Sequence, residues 1–351
     1  MEQPSKRMRP DTDVKTYLLT KNGALDEHDR IRFVEKEHHY HAYNRYLNMW
    51  VSSLDGGTSL LPIVSVTKLL ERYFPSHFNL VEIAQKILSS EENTYRIHND
   101  PTYKYYRLDT IEKIQKKWDE GKELGTAMHA VFEYLSNVLE YERDNDINEH
   151  QLREVYKDVP EIQYFKEYCD RMGITSGDRV FYRSEILLYH DELNICGTAD
   201  TILFDKRTGG YIITDFKRVN GGLVSDPVHP KKSIEDLAPS AKGVELPAFR
   251  NLRNHSTNKY GCQLTLYKMI FEHMYPNKRI IGLYLIVIDS SKISKKDALK
   301  IVEVPLNKYD ECIHQLYSQR ALDILVPNNE TLPQPLLVKL DEIYESRKNM
   351  N

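Results

Sequence analysis

The chain has 351 residues, 28% of them charged, with a formal net charge of −4. That length predicts one large or two modest domains with ample apolar sequence for a core. The near balance of charge neither indicates nor excludes a nucleic-acid partner, because a groove can be basic on a neutral protein. Cys169, Cys196, Cys262 and Cys312 lie far apart with no C-x-x-C pair, which argues against a zinc site, an iron–sulfur cluster or a disulfide framework and favours a reducing compartment. The longest apolar run, Ile280 to Ile288 with Gly282 and Tyr284 inside it, is far below the roughly 18 residues that span a bilayer. Basic residues near the N-terminus have no hydrophobic segment behind them. The expectation is an intracellular protein, nuclear or cytoplasmic, with no signal peptide and no membrane partner.

Residues 1–28 are polar without a sustained period and read as a flexible tail; Lys6-Arg7-Met8-Arg9-Pro10 fits either a nuclear-import patch or a solvated segment. Ile31 to Tyr43 is strand-like and holds three histidines, which suit a metal site or the alternating polar face of an edge hairpin. Two helical patterns follow, Val66, Leu69, Leu70, Tyr73 and Leu80, Ile83, Ile87, Leu88, broken at Pro75-Ser76, with Ser65 or Thr67 as first cap. Asp109 is placed to cap a helix from Thr110 that runs through Trp118 to Val138. Within it, His129 and Glu133 are four apart and share a face, behind the small residues Gly125 and Ala127.

After an acidic stretch and a helix through Tyr164, Tyr168 and Met172, the strand Arg179 to Tyr189 carries Glu185 among apolar neighbours. The next two strands surround Cys196-Gly-Thr-Ala-Asp200 and Tyr211-Ile-Ile-Thr-Asp-Phe-Lys217, with turn residues at Lys206 to Gly210. Period two puts Asp215 and Lys217 on one face. If the strands pair as a hairpin, Asp200 and Asp215 stand equally far from the turn, so two carboxylates and an ammonium converge. A hard divalent cation such as Mg2+ accounts for that grouping and suits phosphodiester chemistry; an exposed hairpin with a surface Asp–Lys pair accounts for it too.

Residues 219–258 read as a long loop with scattered basic residues. Lys259 to Phe271 is helical, with Gln263 and Tyr267 one turn apart. Arg279 to Asp289 is a near-continuous apolar strand, central in a sheet. A strand at Lys300 to Val304, a helix from about Tyr309 to Leu325, and a Pro-punctuated tail with a short helix through Leu337, Leu340, Ile343 and Tyr344 complete the chain.

Taken in order, G-x-x-x-H at Gly125 to His129, the strand acid Glu185, G-T-A-D ending at Asp200, D-F-K from Asp215 to Lys217, and Q-x-x-x-Y from Gln263 to Tyr267 resemble the PD-(D/E)xK nucleases of the RecB type over residues 110–290. The resemblance implies an α/β fold, a mixed central β-sheet flanked by helices in a restriction-endonuclease-like core, with a mainly helical N-terminal lobe. Together with the patterns read along the chain, it gives a tail at 1–28, an accessory lobe at 29–108, the nuclease core at 109–310 and a helical extension at 311–351. It implies Asp200, Asp215 and His129 as metal ligands and Lys217 as the residue that positions or activates water. Glu185 would help bind a second ion or hold the first, and Gln263, Tyr267 and Glu133 would touch DNA or brace the site. The cofactor it implies is Mg2+ or Mn2+, and the scattered cysteines match the subset of the family without an iron–sulfur cluster.

The activity implied is a metal-dependent deoxyribonuclease, an exonuclease in DNA repair, recombination or replication, acting on single-stranded DNA or duplex ends. Tyr95 to Lys117 and the 219–258 loop are compositional candidates for gripping a single strand. With no G-x-x-x-x-G-K-[ST] loop, strand opening falls to a helicase or single-strand-binding partner. A non-catalytic DNA-binding scaffold and a structure-specific endonuclease acting on DNA or RNA are the alternatives.

Overall fold

The period-two apolar segments in the middle of the chain pair into one mixed sheet, because each has a face that only another strand and a covering helix can bury. The computed structural model describes residues 31–34, 39–44, 48–52, 63–74, 79–145, 161–219, 246–250, 252, 256–290, 292 and 295–325. The N-terminal tail with its basic patch, the break at Pro75-Ser76, most of the 219–258 loop and the helix expected at Leu337 to Tyr344 lie outside the described residues. The chain divides into two compact units, residues 75–131 and the remainder.

In the larger unit, strands β1 (Ile31–Val34), β2 (His39–Asn44) and β3 (Met49–Ser52) form an antiparallel sheet. A second sheet has six strands: β4 (Val64–Ser65), β5 (Arg179–His190), β6 (Ile195–Asp205), β7 (Tyr211–Val219), β8 (Ile280–Asp289) and β9 (Leu299–Glu303). β5 runs antiparallel along the whole of one edge of β6. The other edge of β6 is shared, with β4 parallel at Ile195 and Cys196 and β7 antiparallel from Thr201 to Phe204. β7 continues parallel to β8, which pairs antiparallel with β9. The β6–β7 turn is fixed by Asp205, whose Oδ1 accepts the amides of Arg207 and Thr208 at 3.1 and 3.0 Å, and by Gly209 at φ +71°.

One face of this sheet is covered by α1 (Val66–Glu71), α7 (Ser256–Met274) and α9 (Asp310–Leu325). Leu264, Ile270 and Phe271 of α7 share a core with Ile213, Leu283 and Leu285 of the strands and Ile313 of α9. The opposite face meets α5 (Glu161–Arg171) and the later part of α4 (Ile111–Asn145): Phe132 and Tyr168 pack edge-on to Phe216 at 4.8 and 5.0 Å, and Phe165 stacks on Phe181. Tyr168 is fully enclosed there, so its hydroxyl needs a partner, and Thr214 supplies one at 3.0 Å. The short helices α6 (Pro247–Arg250) and α8 (Lys295–Ala298) lie before α7 and β9.

In the smaller unit, α2 (Leu80–Ser89), α3 (Glu91–Asn99) and the start of α4 enclose Ala84, Ile97, Tyr105 and Ile114. Asn79 and Ser90 cap α2 and α3 through the amides of Glu82 and Asn93. At the start of α4 it is Thr110 Oγ1 that accepts the Lys113 amide; Asp109, expected as the cap, pairs with the Lys113 ammonium instead. Ser65 is the cap of α1, through the Lys68 amide. No helix among the described residues is long and apolar enough to cross a membrane.

Two glycines separate packing from helix propensity. A Cβ at Gly261 of α7 would overlap the ring of Tyr309, held by its hydrogen bond to Asn258, whereas one at Gly121 of α4 meets nothing within 4 Å. Gly261→Ala is expected to lose about 1–2 kcal/mol, overpacking outweighing the helix gain. Gly121→Ala is expected to gain up to about 1 kcal/mol. Urea unfolding of the two variants beside the parent reads both signs.

Candidate active site

The shared edge of β6 makes a fork. Pairing with β7 ends at Thr201–Thr214, one step before Asp200 and Asp215, and pairing with β4 ends at Cys196. Gly197 to Asp200 therefore lie in the gap, where β7 has left β6 to follow β8. The amide of Phe216 donates instead to Asp200 Oδ2 at 2.7 Å. A backbone group that loses its ladder partner must find another, and here a carboxylate provides it.

Asp215 is 1% exposed, and the Lys217 ammonium reaches its Oδ2 at 2.7 Å. The two lie on the side of β7 that carries Ile213 and faces α7. Burial opposes the charge on Lys217, yet Asp215 and Asp200 hold its ammonium well above the ordinary lysine range. The ammonium also lies 4.9 Å from the ring centroid of Tyr260, one face of it thus covered by a π-system.

Glu185 stands in β5 at the position opposite Asp200, between the pairs Ser184–Thr201 and Ile186–Ala199. The two carboxylates have oxygens within 4.8 Å of each other. Its backbone is left-handed, φ +49°, a conformation that glutamate adopts at a cost of order 1–3 kcal/mol and that clusters at functional sites. Burial, then the charges of Asp200, Glu133 and Asp215, push its carboxyl up to about 9 against the pull of Lys217. Glu133 is an exposed residue of α4, so it adds negative potential from the rim. His129 is one helical turn earlier on α4, half-buried, and belongs to the smaller unit.

α7 closes the α7 side of the fork. Gln263 donates to the Tyr267 hydroxyl at 3.0 Å, and burial, then Asp215, raise that hydroxyl well above the ordinary tyrosine range. A Cβ at Gly197 would sit 2.7 Å from the Tyr267 ring, so the glycine of G-T-A-D is what lets α7 approach the strand. On β2, the Tyr40 hydroxyl meets Thr198 Oγ1 at 3.1 Å, and burial pushes it up to about 12.

The structure thus brings Glu185, Asp200, Asp215 and Lys217 together at the fork, with Glu133 near enough to act on Glu185 electrostatically, Tyr267 against the strand that carries Asp200, and Gln263 bonded to the Tyr267 hydroxyl. Tyr260 and Tyr40 are additions. Tyr260 was visible in the spacing, three and seven residues before Gln263 and Tyr267 on one helical stripe. Tyr40 had no local signal, since its contact spans 158 positions.

A histidine–carboxylate group elsewhere, His190, Asp191 and His273, has donor atoms within 4.8 Å of one another. Its imidazoles are stacked at 3.9 Å and 7°. A ligating imidazole binds in its ring plane, and no single ion lies in both of two parallel planes. His273 instead hydrogen-bonds Asp191 Oδ1 at 3.0 Å, and the group braces the end of α7 against the β5–β6 turn. No family model matches the sequence, and no curated protein matches it.

The sign of one pH effect follows from Glu185. Its folded value near 9 lies above the ordinary 4.5, so between these the native state binds the extra proton, and its stability is full below pH 4.5 and falls as pH rises through about 9. Glu185→Gln removes the titration. In EDTA the variant is expected to be more stable than the parent by roughly 1–3 kcal/mol at pH 8, the gap closing towards pH 4.5. Thermal melts across that range read it, and a gap independent of pH counts against the assignment.

Proposed function

We propose that the chain is a Mg2+- or Mn2+-dependent deoxyribonuclease of the PD-(D/E)xK, RecB-like type, an exonuclease hydrolysing DNA phosphodiester bonds in repair, recombination or replication. The observation that carries this reading is the gathering of Asp200, Asp215, Glu185 and Lys217 at the fork between β6 and β7, in the order and spacing of that family's motifs. The donor set fits the metal: carboxylate oxygens are the ligands that Mg2+ and Mn2+ take. Burial, then the charges of Asp200, Glu133 and Asp215, press the Glu185 carboxyl upward, a pressure that a bound cation would relieve.

Asp200 and Asp215 would hold the ion, with Glu185 binding a second ion or fixing the first; a ligand role for His129 is what the resemblance alone implies. When bound, the cation supplies Lewis-acid polarisation of the phosphodiester and offsets its charge. Lys217 is kept protonated by Asp215 and Asp200, so its task is to orient the attacking water and stabilise charge growing on the phosphorus oxygens, not to take a proton. Tyr267, held by Gln263, keeps its proton as well and braces the lysine side of the fork. In-line attack of water forms one P–O bond as the bond to the 3′ oxygen breaks, and the leaving oxygen takes a proton. The products are a 5′-phosphate and a 3′-hydroxyl.

The smaller unit offers a surface suited to single strands. Tyr95 is 68% exposed, and Arg96, Lys104 and Arg107 lie over the rings of Tyr103, Tyr105 and Tyr106. Strand opening would come from a helicase or single-strand-binding partner.

On end-labelled linear DNA, Mg2+ or Mn2+ is expected to support cleavage that EDTA abolishes. Asp215→Ala and Lys217→Ala are expected to lose at least about 100-fold in rate, in line with removal of one electrostatic stabiliser, while oligonucleotide binding stays within a few-fold. Covalently closed circles should survive; their cutting would convert the exonuclease reading into an endonuclease one. Full activity in Asp215→Ala would overturn the site.

A further inference from the structure

A lysine ammonium sits at the end of a stem with several rotatable bonds, so a lysine that must act at one point needs something to hold it there. Among the described residues two side chains meet the Lys217 ammonium: Asp215 Oδ2 at 2.7 Å and the ring of Tyr260, whose centroid is 4.9 Å away. The Lys217 side chain is 19% exposed. Tyr260 is half-buried and packs at the border of the core that α7 shares with the strands. It stands three residues before Gln263 and seven before Tyr267, so the helix that Gly197 admits to the strand also delivers this ring.

An apolar side chain of similar size would fill the same space and keep the helix in place. A ring over an ammonium does more, because its face attracts the cation without being a charged partner. An ammonium has three donors. Asp215 draws one side of it, and the ring covers another without competing for the remaining donors as a second carboxylate would. On the nuclease reading Asp215 is a metal ligand as well, so its carboxylate is divided between two cations that repel each other, and its grip on Lys217 loosens. The hold of the ring does not draw on that carboxylate. We propose that Tyr260 is a positioning residue, which keeps the Lys217 ammonium at the fork when Asp215 is engaged by the metal ion, and that its ring face, not its hydroxyl, does this. The role rests on the nuclease reading, whereas the contact can be tested without it.

The first readout is magnetic resonance of full-length protein carrying 13C-lysine, the Lys217 signal being identified by its loss in Lys217→Arg. Protons over a ring face are shifted upfield. The Lys217 ε-methylene signal is expected upfield of the other lysines in the parent and in Tyr260→Phe, to remain there as Mg2+ is added without DNA, and to return to the ordinary position in Tyr260→Leu. The second readout is cleavage of end-labelled DNA. Tyr260→Leu is expected to lose about 3- to 30-fold in kcat, the range of a cation–π contact, with KM within about two-fold of the parent, and Tyr260→Phe to keep the parent's rate. A parent signal that is unshifted, or whose shift vanishes on adding Mg2+, overturns the proposal. So does a Tyr260→Phe as slow as Tyr260→Leu, or a Tyr260→Leu as fast as the parent; in each of these cases cleavage by the parent leaves the nuclease reading standing. A folded parent that cleaves no DNA with Mg2+ or Mn2+ overturns the nuclease reading and the positioning role with it. Should Tyr260→Leu fail to fold, Tyr260→Met replaces it, and if both fail the Mg2+ titration of the parent and Tyr260→Phe decides.

Discussion

The structure turns on one hydrogen bond, from the Phe216 amide to the Asp200 carboxylate. Where two strands separate inside a packed domain, their inward backbone groups lose partners at a place water does not readily reach, and each group so left costs about 1–3 kcal/mol. Asp200 resolves this for β7 and, by being drawn across the gap, is placed beside Asp215 and Lys217. The same parting leaves the edge of β6 between β4 and β7 open. The carboxylates gather there because the ladder stops one step short of Asp200 and Asp215.

What the fork gathers is unfavourable on its own terms. Asp215 is buried, Glu185 is half-buried on a left-handed backbone with other carboxylates around it, and Lys217 offsets them from within. Such an arrangement persists when the surroundings are held by stronger forces. Phe216, the residue between Asp215 and Lys217, is gripped by Phe132 and Tyr168 on the far face, and burying a ring of that size is worth about 1.5–3 kcal/mol. Alternation along β7 thus anchors the strand through one set of residues while presenting charge through the other.

Much of this was legible in the sequence because it is local or periodic. The pairing of Asp215 with Lys217 follows from period two, and the symmetry of Asp200 and Asp215 about the turn follows from counting, which the Thr201–Thr214 register repeats. The resemblance implied a mixed sheet flanked by helices, in agreement with the strands and helices read from periodicity, and the six-stranded sheet is mixed and flanked by helices. What could not be read has a physical reason in each case. Whether Asp109 or Thr110 caps α4 depends on which side chain a lysine captures, a competition decided by geometry. The sharing of one edge of β6 between β7 and β4 brings in Val64 and Ser65, more than a hundred residues before their partners Ile195 and Cys196. The left-handed backbone of Glu185 has no sequence signal, since glutamate is not a residue chosen for that conformation.

Gly197 shows how a motif can record packing as well as chemistry. In G-T-A-D the aspartate carries the charge, yet it is the glycine that admits the Tyr267 ring, which a Cβ would meet at 2.7 Å. Tyr267 in turn is fixed by Gln263, one turn away on α7, and Tyr260, on the same stripe, covers the ammonium of Lys217. The Q-x-x-x-Y spacing is therefore the complement of the glycine seventy residues earlier: remove the space at Gly197 and the helix that shields Lys217 must move. Two motifs that look independent along the chain are one constraint in space, because the helix can approach the strand closely only where the strand has no side chain.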